Sequence, residues 1–111
     1  MSGTDLLGEF EHVVLLAILQ QREGGYAILI RRSIEAVTER PVSRGALYRT
    51  LDRLGGKGLV VWELEEPTAE RGGNPRKRFS VTSDGLAALR RSRSVVSQLS
   101  AGIEDLLEPV S

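Results

Sequence analysis

Residues 43–81 constrain the fold of this chain more than any other stretch. Residues 43–54 read Ser-Arg-Gly-Ala-Leu-Tyr-Arg-Thr-Leu-Asp-Arg-Leu, which predicts a short basic helix. Residues 59–65, which begin Leu-Val-Val-Trp, predict a strand, and Arg-Lys-Arg-Phe-Ser-Val at 76–81 predicts a basic return strand. A helix of this kind can enter a DNA major groove while an adjacent hairpin reaches along the phosphate backbone. No other part of the sequence indicates chemistry this specific.

The helix predicted at the start of this stretch has two different sides. Ser43 is a favourable N-cap, and the glycines at positions 55, 56 and 58 end the helix near Lys57. Leu47, Leu51 and Leu54 form a narrow apolar stripe at i, i+4 and i+7, which predicts one buried face. The opposite side carries the polar residues Arg44, Tyr48, Arg49, Asp52 and Arg53.

The two predicted strands form a hairpin, because the residues between them include two prolines and a pair of glycines. On the return strand, alternation places Lys77 on the face of Phe79, away from Arg78. Lys77 is therefore expected to be the least available of the hairpin cations. For the two arginines, the alternative to an external partner is a charged edge that blocks strand pairing.

Other hairpin residues have more ordinary interpretations. Glu63, Glu65 and Glu66 are predicted to be solvated charges at a strand edge. Trp62 is predicted to pack at the base of the hairpin, and the alternative is a stacking platform for a flat ligand.

Two helices are predicted before the basic helix. Residues 6–22 are apolar on nearly every side of a helix, so part of this surface is expected to meet a second subunit. Gly24-Gly25 is expected to end that helix. Residues 26–39 form the second helix, with an inward stripe of Tyr26, Ile30, Ile34 and Val37 and with Arg31, Arg32, Glu35 and Glu39 in water.

The last helix is predicted from 83 to 107, with Thr82 as its cap and an apolar heptad seam interrupted by Ser92. At 1.5 Å per residue it would be roughly 36 Å long, which is more than the rest of the domain can cover. A partner chain is the expected cover, and the alternative is a helix folded flat on its own domain. The residues expected at the dimer interface are Phe10, Val14, Leu15, Leu89, Val96, Leu99, Ile103 and Leu106.

The order helix, helix, helix, strand, strand, helix predicts a mainly α fold with a small β-hairpin. This order of elements is typical of a winged helix-turn-helix DNA-binding domain, predicted for residues 1–82. A C-terminal dimerisation helix, residues 83–111, is predicted to follow it in one compact unit. A chain of 111 residues is long enough for one such unit.

The formal net charge is zero, but its distribution is uneven. Fifteen basic and fifteen acidic residues are present. Residues 43–58 carry four cations against Asp52 alone, and residues 71–93 carry seven cations against Asp84 alone. Two such clusters on adjacent elements favour a site for a polyanion over ordinary solvated surface.

The sequence gives little support to an enzyme or a metalloprotein. It has no cysteine, which excludes thiolate metal ligands and disulfides and fits a cytoplasmic location. His12 is the sole histidine and lies on an apolar helix, so no catalytic site, metal site or cofactor is expected. The start lacks the pattern of a secretory signal, and the longest apolar run, residues 13–19, is too short to cross a membrane.

Motifs along nearly the whole chain resemble the PadR family of bacterial transcriptional regulators. They are Leu-Gly-Glu-Phe-Glu at 7–11, Gly-Ala-Leu-Tyr-Arg-Thr-Leu-Asp-Arg-Leu at 45–54, Lys-Gly-Leu-Val at 57–60, Arg-Lys-Arg-Phe at 76–79 and Val-Thr-Ser-Asp-Gly at 81–85. Phe79 stands where the family commonly has tyrosine. The chain has room for a single helix after the hairpin, so it is similar to the compact subgroup. The resemblance implies a homodimer that represses transcription and that a small aromatic or drug-like effector could release.

On this reading, the third helix enters the major groove and the hairpin follows the phosphates. Arg44 is the best candidate for a guanine edge, and Tyr48 matches a family tyrosine that resembles a phosphate contact, or else packs on the helix surface. The expected DNA-binding residues are Ser43, Arg44, Tyr48, Arg49, Arg53, Arg71, Arg76, Lys77 and Arg78. The competing class is a winged-helix protein-interaction module, because a fold alone does not fix a function.

Overall fold

The chain folds into helices packed around a small three-stranded antiparallel sheet. The structure is a computed structural model and describes residues 6–66 and 74–109. The mainly helical class and the hairpin predicted from the sequence are confirmed. The elements are α1 (Glu9–Gln20), β1 (Gly25–Tyr26), α2 (Ala27–Thr38), α3 (Arg44–Gly56), β2 (Val60–Glu65), β3 (Arg76–Val81), α4 (Ser83–Ser100) and α5 (Glu104–Leu107).

The first strand was not predicted. The strand order is β1-β3-β2, with Gly25 opposite Phe79 and Tyr26 opposite Arg78. Gly24-Gly25 therefore does not end α1, which already ends at Gln20. A Cβ atom at Gly25 would collide with the carbonyl oxygen of Phe79, so only glycine allows this approach. Because β3 is the central strand, the charged-edge interpretation is wrong for Arg78, which has a strand on each side.

The apolar stripe of α3 lies at the centre of the core. Leu47, Leu51 and Leu54 are at most 1% exposed, as the spacing predicted. The interior stripe of α2 is correct for Ile30 and Ile34, but Val37 is 84% exposed at the end of its helix. The residues that complete the core with this stripe are Val14, Leu15, Ala17, Ile18, Ile30, Ile34, Leu59, Val60, Phe79, Ala88 and Leu89.

Two residues expected at the dimer interface belong to this core instead. Val14 and Leu15 have no exposed surface to offer a second chain. Leu89 is 4% exposed and lines a groove between α1 and α4. The burial follows from the position of α1, which packs on α2, α3, α4 and β3 at once. Phe10 is half-buried against the core. The remaining expected interface residues are exposed: Val96, Leu99, Ile103 and Leu106.

The last helix is shorter than predicted. Thr82 caps it as expected, because its hydroxyl accepts a hydrogen bond from the Gly85 N–H at 3.0 Å. It ends at Ser100, and Gly102 has a φ of +86°, in the left-handed region that ends helices. A separate short helix, α5, follows. Ser92, which interrupts the heptad seam, is buried and accepts a hydrogen bond from the Leu7 N–H at 3.2 Å.

No helix in the described part of the chain combines the length and apolar character needed to cross a membrane.

An ion pair with a buried carboxylate joins the start of α1 to the end of α3. The Glu11 carboxylate accepts from the Gly8 N–H at 2.8 Å and lies 2.8 Å from the Lys57 ammonium. The Glu11 side chain is 5% exposed and that of Lys57 is 40% exposed. Burial alone would raise the pKa of Glu11, but the bonds from Lys57 and Gly8 and the charges of Lys57 and Arg53 outweigh it, so the pKa is lowered.

Replacing Glu11→Gln is expected to reduce the free energy of unfolding at neutral pH by about 1–3 kcal/mol, because Lys57 loses its charged partner. A carboxyl group whose pKa is lowered by folding stabilises the protein above its ordinary pKa, near 4.5 here. The difference between the parent and the variant should therefore shrink as the pH falls below that value. Urea unfolding at fixed protein concentration measures it. Glu9→Gln, an exposed acid of the same helix turn, is the control. Equal losses for both variants would contradict the assignment.

Candidate nucleic-acid interface

Three arginines lie on the exposed side of α3. Ser43 caps the helix, and its side-chain oxygen accepts a hydrogen bond from the Ala46 N–H at 3.0 Å. Arg44, Arg49 and Arg53 are exposed because the leucine stripe faces the core. The Ser43 side chain is exposed as well, and its hydroxyl hydrogen remains able to donate while the oxygen accepts the cap bond.

Tyr48 connects α3 to the sheet. Its ring is half-buried and meets Phe79 edge to face, with the ring centroids 6.5 Å apart. The Arg44 guanidinium carbon lies 5.5 Å from the centroid of the same Tyr48 ring. The packing offered as the alternative role of Tyr48 is therefore present in the structure, as a contact with Phe79. The same contact steadies Arg44 at the first turn of α3.

The hairpin places its cations on two faces. Arg76 and Arg78 are exposed, whereas Lys77 is half-buried, in agreement with its strand parity. The Lys77 ammonium lies 4.2 Å from the centroid of the Trp62 ring. Trp62 itself is 51% exposed, so its ring is only partly covered within the hairpin. Its cover is the lysine on the neighbouring strand.

Glu65 is not a solvated edge charge. Its carboxylate oxygens lie 2.9 and 2.8 Å from the Tyr26 hydroxyl, which donates to them. The same carboxylate lies 3.5 Å from Nε of Arg76 and 4.0 Å from Nη1 of Arg78. The Tyr26 hydrogen bond first, and then the two arginine charges, lower the pKa of Glu65 against the opposing effect of partial burial. Sequence spacing could not reveal this cluster, because Tyr26 and Glu65 are far apart in the chain.

A cleft of about 700 Å³ separates α3 from the hairpin. Two elements predicted to act together, the basic helix and the basic strand, thus face each other across one opening. Arg31 of α2 also lines it, although the helical pattern of α2 predicted only that this residue faces water. Only the packing of α2 beside α3 could have identified Arg31. The lining residues are Tyr26, Ala27, Ile28, Arg31, Arg44, Leu47, Tyr48, Leu64, Pro75, Arg76 and Lys77.

The cleft has the chemistry of a polyanion site. Four of its lining residues are cations, and no acid from the described ranges 6–66 and 74–109 lines it. Guanidinium groups on an open surface suit phosphodiester oxygens, because the planar fork can donate two hydrogen bonds to one phosphate.

Four of the nine predicted DNA-binding residues are exposed but do not line the cleft, namely Ser43, Arg49, Arg53 and Arg78. A fifth, Arg71, lies outside the described residues. Arg53 is exposed on the last turns of α3, and its charge contributes to the lowered pKa of Glu11.

His12 is half-buried on α1. Within the part of the chain that the structure describes, no group of three or more histidine, cysteine or acidic side chains could hold a metal ion.

Solved structures of known regulators share this architecture. A PadR family transcriptional regulator from Eggerthella lenta is 29% identical, with a TM-score of 0.66 over 92% of this chain and 88% of that one. A PadR-like transcription factor from Bacteroides fragilis is 27% identical, with a TM-score of 0.71 over 87% and 88%. A PadR-like regulator from Bacillus cereus, 23% identical, shares the fold with a TM-score of 0.70 over 91% and 93%. No functionally curated protein matches the chain.

The family model agrees with the structural comparisons. The model of the transcriptional regulator PadR-like family matches residues 15–91, which include α2, α3 and the whole hairpin. That is more than half of the 111 residues. The chain therefore belongs to the PadR-like family of transcriptional regulators.

Proposed function

We propose that this protein is a sequence-specific DNA-binding repressor that acts as a homodimer in the cytoplasm. The observation that carries the proposal is the cleft in which Arg44 of α3 faces Arg76 and Lys77 of the hairpin. A helix–hairpin pair with cations on both sides fits a duplex, since the helix can read base edges while the hairpin holds phosphates. In such a dimer, residues 1–82 bind DNA and residues 83–111 associate the subunits.

Each predicted DNA-binding residue is assigned a role in this proposal. Arg44, at the first turn of α3, is proposed to donate to a guanine edge, because its fork matches two acceptors in the major groove. Tyr48 and Ser43 are proposed to contact phosphates near that turn. The remaining proposed phosphate contacts are Arg49 and Arg53 of α3, Arg76, Lys77 and Arg78 of β3, and Arg71, which lies outside the described residues.

The proposed dimer covers apolar surface at the C-terminal end of the chain. Leu99 is 75% exposed and Leu106 is 80% exposed, which is unusual for large apolar side chains near one another in sequence. A groove of about 510 Å³ between α1 and α4 is lined by Leu16, Leu19 and other residues of both helices. A two-fold dimer would bury these surfaces and present two copies of α3 about one helical turn of DNA apart.

The proposed mode of regulation follows from the dimer. Two bound subunits would cover enough of a promoter to block transcription. A small aromatic or drug-like molecule that enters the apolar space between the subunits would change their relative orientation and so release the DNA. The alternative function, a protein-interaction module, needs no cations in the cleft, and the following experiments separate the two.

The double substitution Arg44→Ala/Arg49→Ala is expected to weaken binding to the protein's own operator by about 100-fold or more, because lost base and phosphate contacts add over two subunits. Genomic fragments captured by the parent protein supply the operator, and fluorescence anisotropy measures the affinity. Arg22→Ala/Arg32→Ala removes the same charge from exposed positions outside the cleft and should have a small effect. Unchanged operator binding by the first variant would favour the protein-interaction module.

The affinity for DNA is expected to fall steeply with salt. Cations that neutralise phosphates release condensed counterions, so the association constant should drop by roughly 10³- to 10⁵-fold between about 50 and about 200 mM salt. Titrations of the captured fragment at several salt concentrations give the slope. A flat response would rule out the electrostatic mechanism.

Leu99→Glu is expected to convert the dimer into a folded monomer. The side chain is 75% exposed in the single chain, so the charge should leave the protomer intact and act only on an association surface. Sedimentation equilibrium measures the mass, and circular dichroism checks the fold. The control is Gln98→Glu, which places the same charge one residue earlier on α4, where the side chain is also exposed, and should leave the dimer intact. A monomeric parent protein, or a Leu99→Glu variant that remains dimeric, would contradict the proposed interface.

A further inference from the structure

One carboxylate lies among the arginines of the hairpin. Oε1 of Glu65 is 3.5 Å from Nε of Arg76, and Oε2 is 4.0 Å from Nη1 of Arg78. In the strand register Glu65 faces Arg76, and Glu63 faces Arg78. The two hairpin arginines proposed to contact the DNA backbone therefore share an acidic neighbour.

Tyr26 holds this carboxylate in place. The tyrosine is 7% exposed, and its hydroxyl lies within 2.9 Å of both Glu65 oxygens. The Arg76 guanidinium covers the Tyr26 ring, with its carbon 3.6 Å from the ring centroid. Because the Tyr26 bond and the two arginines lower the pKa of Glu65, the carboxylate is ionised at neutral pH. A fixed negative charge thus sits where the hairpin cations converge.

A carboxylate and a phosphodiester offer the guanidinium fork the same kind of acceptor. A DNA phosphate can engage Arg76 or Arg78 fully only if it shares these groups with Glu65 or displaces it. The Glu65 side chain is 28% exposed, and the two arginine side chains are 42% and 44% exposed. Ion pairs this open and this long contribute little stability and exchange with other partners in water. The competition is therefore weak at each arginine and reversible.

We propose that Glu65 is an internal competitor of the DNA phosphates that limits sequence-independent binding by the hairpin. The inference rests on the proposed function, because it assumes that the hairpin arginines meet a DNA backbone. Binding to DNA of arbitrary sequence depends almost entirely on phosphate contacts, whereas operator binding also has the base contacts of α3. A charge that weakens the hairpin contacts therefore reduces most of the affinity for DNA of arbitrary sequence, but only part of the affinity for the operator.

The variant that tests this is Glu65→Gln. Glutamine keeps an oxygen that can accept from Tyr26 but has no charge to hold the arginines. We expect it to bind a mixed-sequence DNA duplex about three to ten times more tightly than the parent protein, from small gains at each of two subunits. The salt dependence should also steepen, since more counterions are released per complex. A residue with a purely structural role would lower the affinity when replaced, so the direction of the change is diagnostic.

Two matched experiments exclude a general charge effect. Glu63→Gln removes the same charge from the same face of β2, and Glu63 forms no ion pair with any residue in ranges 6–66 and 74–109. Its effect should be less than about twofold, because a solvated charge is screened. In an Arg76→Ala/Arg78→Ala background, Glu65→Gln should lose most of its gain, since the competing partners are absent.

The outcomes separate this inference from the proposed function. If Arg44→Ala/Arg49→Ala weakens DNA binding but Glu65→Gln leaves it unchanged or weakens it, the competitor role fails and the regulator remains. Equal gains from Glu63→Gln and Glu65→Gln would also overturn the competitor role. A parent protein that binds neither mixed-sequence DNA nor captured genomic fragments would end both proposals.

Discussion

The rotation of α3 about its own axis is the constraint on which the charged surface depends. Leu47, Leu51 and Leu54 lie on one narrow side of the helix and are almost completely buried. Each such side chain contributes about 1.5–3 kcal/mol when removed from water, which is more than a solvated arginine gains from any single surface contact. The leucines therefore decide which way the helix faces. The exposed arginines are a consequence of that choice, and the cleft beside the hairpin exists because α3 cannot turn.

The ends of α3 fix its position along the axis as firmly as the leucines fix its rotation. At the first turn, Ser43 satisfies the Ala46 N–H. At the last, Lys57 follows the helix and pairs with the buried Glu11 of α1. Neither contact touches the cleft, yet both hold the residues that do. The proposed reading of bases by Arg44 requires a helix that is held in this way, because a small displacement would misplace a bidentate contact.

The features that could be predicted from the sequence are those with a local period. The α3 stripe repeats at helical spacing and β3 alternates, so Leu51, Phe79 and Lys77 each lie on the side that the pattern indicated. The errors arise where distant residues decide. Two residues are too few to reveal β1, which exists because Gly25 can approach Phe79. The apolar heptad pattern continues past Ser100, so it could not predict that α4 ends there. The helix ends because the backbone is extended at Ala101 and left-handed at Gly102.

The two acids that the sequence left without a role differ in what they can do. Glu11 and Lys57 are 2.8 Å apart, and the carboxylate is 5% exposed, so the pair is fixed and its loss leaves a charge without a partner. Glu65 is more open, lies at 3.5 and 4.0 Å from its arginines, and keeps its place through Tyr26. In the proposed complex, a phosphate would replace the second acid but not the first. One ion pair is therefore structural, and the other, which is exchangeable in this proposal, lies on the surface proposed for DNA.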